Sequence, residues 1–238
     1  MRFSQNKMRE TELDARLLAA ADLVRQGACF ADIGTDHARL PLFLLARARI
    51  SFAYACDVAR GPLASAEAAI AAAGEGGRCK TVLCDGAAEL GGLGISDYAI
   101  CGMGGELIAR IISDAPGLSD PSVRLVLQPM TRAAHLRRFL AKNGFSILGE
   151  RFVIANRRPY VCISAEYTGR FYEISGIEAE IGAYPDRSPA FLAYAKARAS
   201  ALRKEALGAA HRGESSEAGK IADGIDGIIK QFESRSEI

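Results

Sequence analysis

The sequence predicts an α/β fold: five parallel strands alternating with helices, closed by an antiparallel hairpin into a seven-stranded sheet, with a helical hairpin after it. Three observations carry that expectation. From Cys29 to Leu127, short apolar runs alternate with helical patterns, which implies right-handed crossovers and a parallel sheet. Two further strand-like runs, Phe145 to Ile154 and Tyr160 to Tyr167, are separated only by Ala155-Asn156-Arg157-Arg158-Pro159. That connection is too short for a helical crossover and calls for an antiparallel pair. After Gly169 the composition turns Ala-rich and charged.

Each element has its own signal. Leu13 to Arg25 carries Leu13, Leu17, Leu18, Ala21 and Val24 at helical spacing, and Gly27 stops it. Cys29 to Ile33 reads as the first strand, followed by a helix with Leu40, Leu44 and Leu45 inward. Ser51 to Asp57 is the second strand, and Pro62 opens an Ala-rich helix running to Gly74. The third, fourth and fifth strands are Cys79 to Cys84, Tyr98 to Cys101 and Val123 to Leu127, the last followed by Gln128-Pro129. Thr131 is expected to cap a helix ending near Asn143-Gly144. In the tail, Phe191 to Leu207 bears Leu192, Ala195, Ala199, Leu202 and Ala206 on one stripe. A polar stretch, Gly208 to Ser216, leads to a second helix with Ile221, Ile225, Ile228 and Phe232 at coiled-coil spacing. Five parallel strands closed by a hairpin form the seven-stranded class I methyltransferase layout, a Rossmann-like sheet. The expected division is residues 1–169 for this sheet domain and 170–238 for the helical tail.

At 238 residues, with 49% hydrophobic and 24% charged content, the chain is long enough to bury one α/β core. A net charge of +2 means that attraction to nucleic acid must come from local clusters. Cys29, Cys56, Cys79, Cys84, Cys101 and Cys162 contain no Cys-x-x-Cys, so buried reduced thiols are expected rather than a metal site. The sequence has no apolar run long enough for a membrane helix, and its polar start lacks a signal core. A cytoplasmic protein is expected, with no membrane and no metal among its partners.

The chemistry concentrates in Ala31-Asp32-Ile33-Gly34-Thr35-Asp36-His37-Ala38. A dinucleotide loop needs Gly-x-Gly-x-x-Gly so that backbone can approach a pyrophosphate. In this chain Asp36 replaces the second glycine and the third is missing. Two carboxylates repel a phosphate but favour a cation. The loop therefore suits a phosphate-free nucleoside with a positive centre, which describes S-adenosylmethionine. Asp36 could alternatively cap the helix, and His37 serves either catalysis or structure. Asp57, with Val58 after it, lies where an acid reaches ribose hydroxyls or caps a helix. Asp85-Gly86 could accept from an adenine amine or form a turn.

After the fourth strand, enzymes acting on exocyclic amines usually present Asp/Asn-Pro-Pro-Tyr/Phe. This chain has Cys101-Gly102-Met103-Gly104-Gly105. Glycines allow close backbone approach but offer no side-chain acceptor. Such a site suits a nucleophile with a free lone pair, such as a ring nitrogen. Met103 packs on a base or fills the core, and Cys101 has no base motif nearby to activate it. Basic residues cluster at Arg132, Arg137, Arg138 and Lys142, at Arg157 and Arg158, and along the tail at Lys196, Arg198, Arg203, Lys204 and Arg212. They read either as a solvated face or as phosphate contacts that position an RNA without reading its sequence.

Asp32-Ile33-Gly34-Thr35-Asp36-His37-Ala38 with Leu40-Pro41, Cys101-Gly102-Met103-Gly104-Gly105, and Leu127-Gln128-Pro129 together resemble the bacterial tRNA adenine-22 N1-methyltransferase family. The resemblance runs from about Leu13 through Tyr167, and the tail is similar in kind to that family's coiled coil. It implies methyl transfer from S-adenosylmethionine to N1 of an adenine in the tRNA D-loop region. Carried over, Asp32, Gly34, Asp36 and His37 would line the methionine end of the cofactor, with Thr35 a further cofactor contact; apart from the resemblance, the Asp36 carboxylate is the candidate to stabilise the initially cationic product. Asp57 and Val58 would hold the ribose, Asp85 and Gly86 the adenine, and Gly102 the region of the methyl. Met103, Gln128, Pro129 and Arg132 would face the tRNA. The family often follows Gln-Pro with Asn, whereas this chain has Met130-Thr131. A monomer, or a weak dimer through the tail, is expected.

Overall fold

The computed structural model describes residues 13–183, 186 and 188–234. Among them, seven strands make one sheet: β1 Ala28–Ile33, β2 Ile50–Asp57, β3 Cys79–Leu83, β4 Asp97–Gly104, β5 Arg124–Thr131, β6 Phe145–Ala155 and β7 Arg158–Tyr167. The strand order is β3-β2-β1-β4-β5-β7-β6. The first five strands are parallel, and β7 runs antiparallel to both β5 and β6. The chain reverses beside β1, so the carboxyl ends of β1 and β4 flank a topological switch point, where open α/β sheets bind ligands.

The helices are α1 Ala15–Leu23, α2 Arg39–Ala46, α3 Arg60–Ala73, α4 Gly105–Ser113, α5 Ala133–Lys142, α6 Gly176–Ile181, α7 Pro189–His211 and α8 Ala218–Ser234. On one face, α1, α2 and α3 close a cluster with Phe30, Ala53, Val126 and Cys162. On the other, α4, α5 and the tail helices share a single cluster with Ile100, Leu125, Phe152 and Val161. The parallel strands are buried on both sides, which explains their continuous apolar runs.

The tail is built into that second cluster. Phe191 is fully buried, and its ring meets Phe152 at 5.1 Å and Phe232 at 5.5 Å, both edge-on. Ser188 caps α7 by accepting from the Phe191 N–H, with Pro189 in the first turn. A reciprocal Ser175–Glu178 capping box starts α6.

Three sequence expectations change. Thr131 does not cap α5: β5 continues to Thr131, paired with Gly104, and Arg132 occupies the cap position with φ 58° and no side-chain bond. Pairing with a lengthened β4 keeps Gln128 to Thr131 extended, so a left-handed residue must reverse the chain instead. Gly208 lies inside α7, which runs to His211, because Ala209 still packs in the core. The seam between α7 and α8 also differs in detail, with Ala218, Ala222, Ile225 and Ile229 the buried positions of α8.

Candidate active site at the carboxyl edge of the sheet

The first site segment leaves β1 at Gly34, whose φ of 74° is a left-handed conformation that glycine adopts freely. The Gly34 and Thr35 N–H groups both donate to the Cys56 carbonyl at 2.8 Å, tying the loop to the end of β2. His37 and Ala38 then take φ values of 54° and 50° before α2 begins at Arg39. No side chain caps α2, so Asp36 is not a helix cap. Its carboxylate is 77% exposed and stands 3.5 Å from His37 Nε2.

Asp32 is the buried partner of that exposed acid. Its residue is 6% exposed, and its carboxylate accepts from Thr35 Oγ1 at 2.7 Å. Burial pushes its pKa up to about 6, against the Thr35 hydrogen bond that lowers it; the charges of Asp36 and Asp57 push it further up. Three carboxylates thus bear on one small volume, and a cation placed among them would relieve both repulsion and desolvation.

Asp57, the last residue of β2, accepts from the Ala59 N–H at 2.7 Å, and Val58 beside it is exposed. The helix-cap alternative for Asp57 is not what the structure has: Ala59 occupies the cap position of α3 without a side-chain cap bond, and Asp57 uses one carboxylate oxygen on the Ala59 N–H. After β3, Asp85 is exposed and Gly86 has φ 74°. A Cβ on Gly86 would touch Ile111 at 3.4 Å.

β4 ends in an irregular run against β5. Cys101 pairs with Gln128 and Met103 with Pro129, so Gly102 bulges out, with φ 78° and open space where a Cβ would project. Gln128 holds this bulge. Its side chain is buried, its Oε1 accepts from the Gly102 N–H at 3.2 Å, and its Nε2 donates to the Pro129 carbonyl at 3.1 Å. Gln128 and the buried Pro129 therefore shape the backbone next to the opening, while Gly102 itself is exposed. The Met103 side chain lies over Gly34, where any Cβ on that glycine would overlap the Met103 methyl. Burial holds the Cys101 thiol well above its usual pKa, as expected of an inert cysteine.

Arg132 is exposed at the end of β5, with Nε 3.7 Å from a Glu106 carboxylate oxygen. Its backbone crowds Gly105, the first residue of α4, leaving no room for a side chain there. By contrast, Arg137, read in the sequence as part of a basic cluster, is 1% exposed and turned inward. Its Nε donates to Glu150 at 2.7 Å and its Nη1 to the carbonyls of Ala179 and Glu180. Most of the tail cations are also paired: Lys196 with Glu233, Arg198 with Glu180, Arg203 with Asp226 and Arg212 with Glu214.

The structure adds a cluster that sequence reasoning missed. Arg16, in the first turn of α1, donates to Asp14 at 2.5 Å and to Met130 Sδ at 2.8 Å, and lies 5.4 Å from the centre of the Tyr160 ring. It wedges between the diverging ends of β5 and β7, beside the site. A cation in the first turn opposes the helix dipole, which was the available hint of a tertiary partner.

Among the described residues, no group of three His, Cys, Asp or Glu side chains could hold a metal ion, and no helix is long and apolar enough to cross a membrane.

Comparison with known proteins follows the same lines. A family model described as a methyltransferase domain matches residues 13–163. The chain is 31% identical over 175 residues to the tRNA (adenine(22)-N(1))-methyltransferase of Bacillus subtilis, covering 74% of each protein. Sp1610 of Streptococcus pneumoniae, a candidate tRNA (m1A22) methyltransferase, superposes with a TM-score of 0.77 at 30% identity, covering 93% of this chain and 99% of that one. A second structure of Sp1610, in complex with S-adenosyl-L-methionine, matches with the same values. A Streptococcus agalactiae protein of the NADB-Rossmann superfamily gives a TM-score of 0.78 at 28% identity, over 93% and 97% of the two chains.

Proposed function

The chain belongs to the tRNA (adenine(22)-N(1))-methyltransferase family, and on that premise we propose that it transfers a methyl group from S-adenosylmethionine to N1 of an adenine in tRNA, at position 22 in the D-loop region. The observation that carries the reading is the carboxylate group Asp32, Asp36 and Asp57 around the Gly34 turn. It would repel a dinucleotide pyrophosphate and attract a sulfonium cation. The residues fit that cofactor. Buried Asp32 has no ion pair among the described residues, and its carboxylate accepts from Thr35. Gly34 leaves the loop without a side chain, and Gly102 opens onto free space.

In this reading Asp32, Gly34, Thr35 and His37 hold the methionine end, Asp57 and Val58 the ribose, and Asp85 and Gly86 the adenine ring. When bound, S-adenosylmethionine supplies an electrophilic methyl group on a cationic sulfur. The chain's own task is to bring adenine N1 into line with it. N1 already carries a lone pair, so no base has to remove a proton before attack, and approximation supplies most of the rate. This agrees with a β4 end made of glycines, where Gln128 fixes the Gly102 bulge and Met103 borders it. Methylation leaves a positive charge on the adenine ring, and the exposed Asp36 carboxylate is the group that would balance it. Exposed Arg132 borders the same opening on the RNA side, while buried Gln128 and Pro129 act on the substrate only by shaping the backbone there. The apolar stripes of α7 and α8 are used on each other and on the sheet, which supports a monomer over a dimer through the tail; a tRNA substrate supports a cytoplasmic protein.

The test is direct. Purified protein, unfractionated tRNA and methyl-labelled cofactor should yield labelled RNA in which nucleoside mass spectrometry finds 1-methyladenosine at position 22. Label confined to small molecules or to protein would overturn the assignment.

A further inference from the structure

Arg157 and Arg158 form the turn between β6 and β7, at the sheet edge that carries the cofactor loops. Leu127 of β5 pairs with Ile163 of the antiparallel β7. Because β7 runs antiparallel to β5, the start of β7 at Arg158 and the end of β5 before Arg132 lie at this same edge, although the two strands are no longer paired there. The turn has only two residues between paired positions, since Ala155 faces Arg158 in the ladder. Asn156 and Arg157 have φ of 49° and 62°, as a type I′ turn demands. Asn tolerates that conformation, but an arginine does so at a cost that glycine avoids.

Strain of this kind is concentrated here. Among the described residues, His37, Ala38, Arg132, Asn156 and Arg157 all lie at the carboxyl edge, and Ala48 is the other non-glycine residue with positive φ. Charge is distributed to match. Arg137, Arg198, Arg203 and Arg212 are neutralised by facing carboxylates. Arg157 and Arg158 are exposed and make no ion pair among the described residues. A two-residue turn thus presents two guanidinium groups, unpaired among the described residues, at the sheet edge that also carries Gly102 and Arg132.

We infer that Arg157 and Arg158 are positioning residues that grip RNA phosphates next to the target adenine, with Arg132 completing the contact from β5. The inference rests on the tRNA reading above and adds to it the surface on which the RNA backbone lies. Arginine forks match phosphate oxygens, and such contacts set register without reading sequence. The C-terminal helices are not needed to supply these particular contacts.

The test uses the full chain and a purified tRNA, with affinity measured over a series of salt concentrations. In the double variant Arg157→Gly plus Arg158→Ala, glycine keeps the turn and removes its strain, so the melting temperature should equal or exceed that of the unaltered protein. tRNA affinity should fall about 10- to 100-fold at physiological salt, and the slope of log K against log salt should flatten by about 1.4 to 1.8, the loss of two phosphate contacts. Cofactor affinity should stay within about 2-fold. Arg78→Ala, a loss of charge at the opposite edge, should leave the salt slope unchanged. An unchanged slope in the double variant, or a loss matched by a lower melting temperature or weaker cofactor binding, overturns the inference. If the unaltered protein binds tRNA with this slope but does not methylate it, the enzymatic reading falls and the phosphate grip stands. If it binds no tRNA, both fall.

Discussion

The carboxyl edge of the sheet and the C-terminal helical hairpin are both rich in charge, and they treat it in opposite ways. On α7 and α8, Lys196, Arg198, Arg203 and Arg212 each meet a carboxylate. At the carboxyl edge the Asp36 carboxylate is exposed beside His37, buried Asp32 is bonded by Thr35, and among the described residues Asp32, Arg157 and Arg158 make no ion pair. Backbone conformation follows the same division, with capped helices in the tail and left-handed non-glycine residues around the site. Unpaired charge and strained backbone persist where the rest of the fold over-determines them, and ligand binding is the usual reason for keeping them. Arg198, Arg203 and Arg212 of the tail are met by carboxylates within the fold, and the tail's first task is structural.

The largest effect should come from breaking the join between the two regions. Arg137 lies in the core with Glu150 as its counter-ion, and its Nη1 also holds the end of α6. Burial disfavours its charge, yet the Glu150 carboxylate outweighs that and keeps its pKa above the ordinary arginine value. Glu150→Ala leaves that cation unpaired, which should cost about 3 to 5 kcal/mol in urea unfolding. If the loss is under about 1 kcal/mol, the tail is not locked to the sheet through this pair.

Next in size is the response of Asp32 to pH. Its native pKa, pushed up to about 6 by burial, lies above the ordinary aspartate value of 3.8. The native state therefore holds this proton more tightly than the unfolded chain does, and stability falls as pH rises between those values. The shift corresponds to about 3 kcal/mol, all of it expressed above pH 6. Asp32→Asn should then stabilise the ligand-free protein at pH 7.5 and change it little at pH 4. A cationic ligand favours the ionised form, so S-adenosylmethionine should bind more weakly as pH drops below about 6, and the Asn variant should lose that dependence. Thermal unfolding at pH 4 and pH 7.5 reads the first effect and calorimetric titration across pH 5 to 8 the second, and a flat binding profile in the unaltered protein removes Asp32 from the cofactor site.

Gly34→Ala should have a smaller effect on folding and a large one on binding. The left-handed φ costs an alanine about 1 to 2 kcal/mol. Its methyl would also displace the end of Met103, a flexible side chain that can move. Thermal unfolding should register the modest loss, while cofactor affinity drops by tenfold or more because the methyl occupies the cradle. Normal cofactor affinity in this variant would place the ligand elsewhere along the edge.

Sequence reasoning reached the parts of this molecule that depend on local chemistry. The Gly34 and Gly102 loops, the aspartate ending β2 and the short β6–β7 connection all announce themselves by residue type and spacing, and the structure has the strand order that those features imply. It failed where a long-range partner decides the outcome. Arg137 looks like any surface arginine until β6 supplies Glu150 and α6 supplies two carbonyls. Thr131 has the composition of a helix cap, but a continuing ladder to Gly104 keeps it in β5. Arg16 is anonymous in sequence because Met130 and Tyr160 lie more than a hundred residues away.

The smallest predicted effect tests the contrast between the two regions most cleanly. Lys196 and Glu233 form an ion pair at 2.7 Å, but their side chains are 56% and 50% exposed. Water and salt already screen such a pair, and holding two long side chains in one geometry costs entropy, so it should contribute about 0.2 to 1 kcal/mol at most. Lys196→Ala should accordingly shift the denaturation midpoint by no more than that, and less at high salt. It leaves Glu233 exposed rather than buried, unlike the partner left behind by Glu150→Ala. If tRNA affinity nevertheless drops as far in Lys196→Ala as in the Arg157 and Arg158 variant, the pairing of the tail cations does not withdraw them from RNA. The phosphate track would then run across both regions instead of along the carboxyl edge alone.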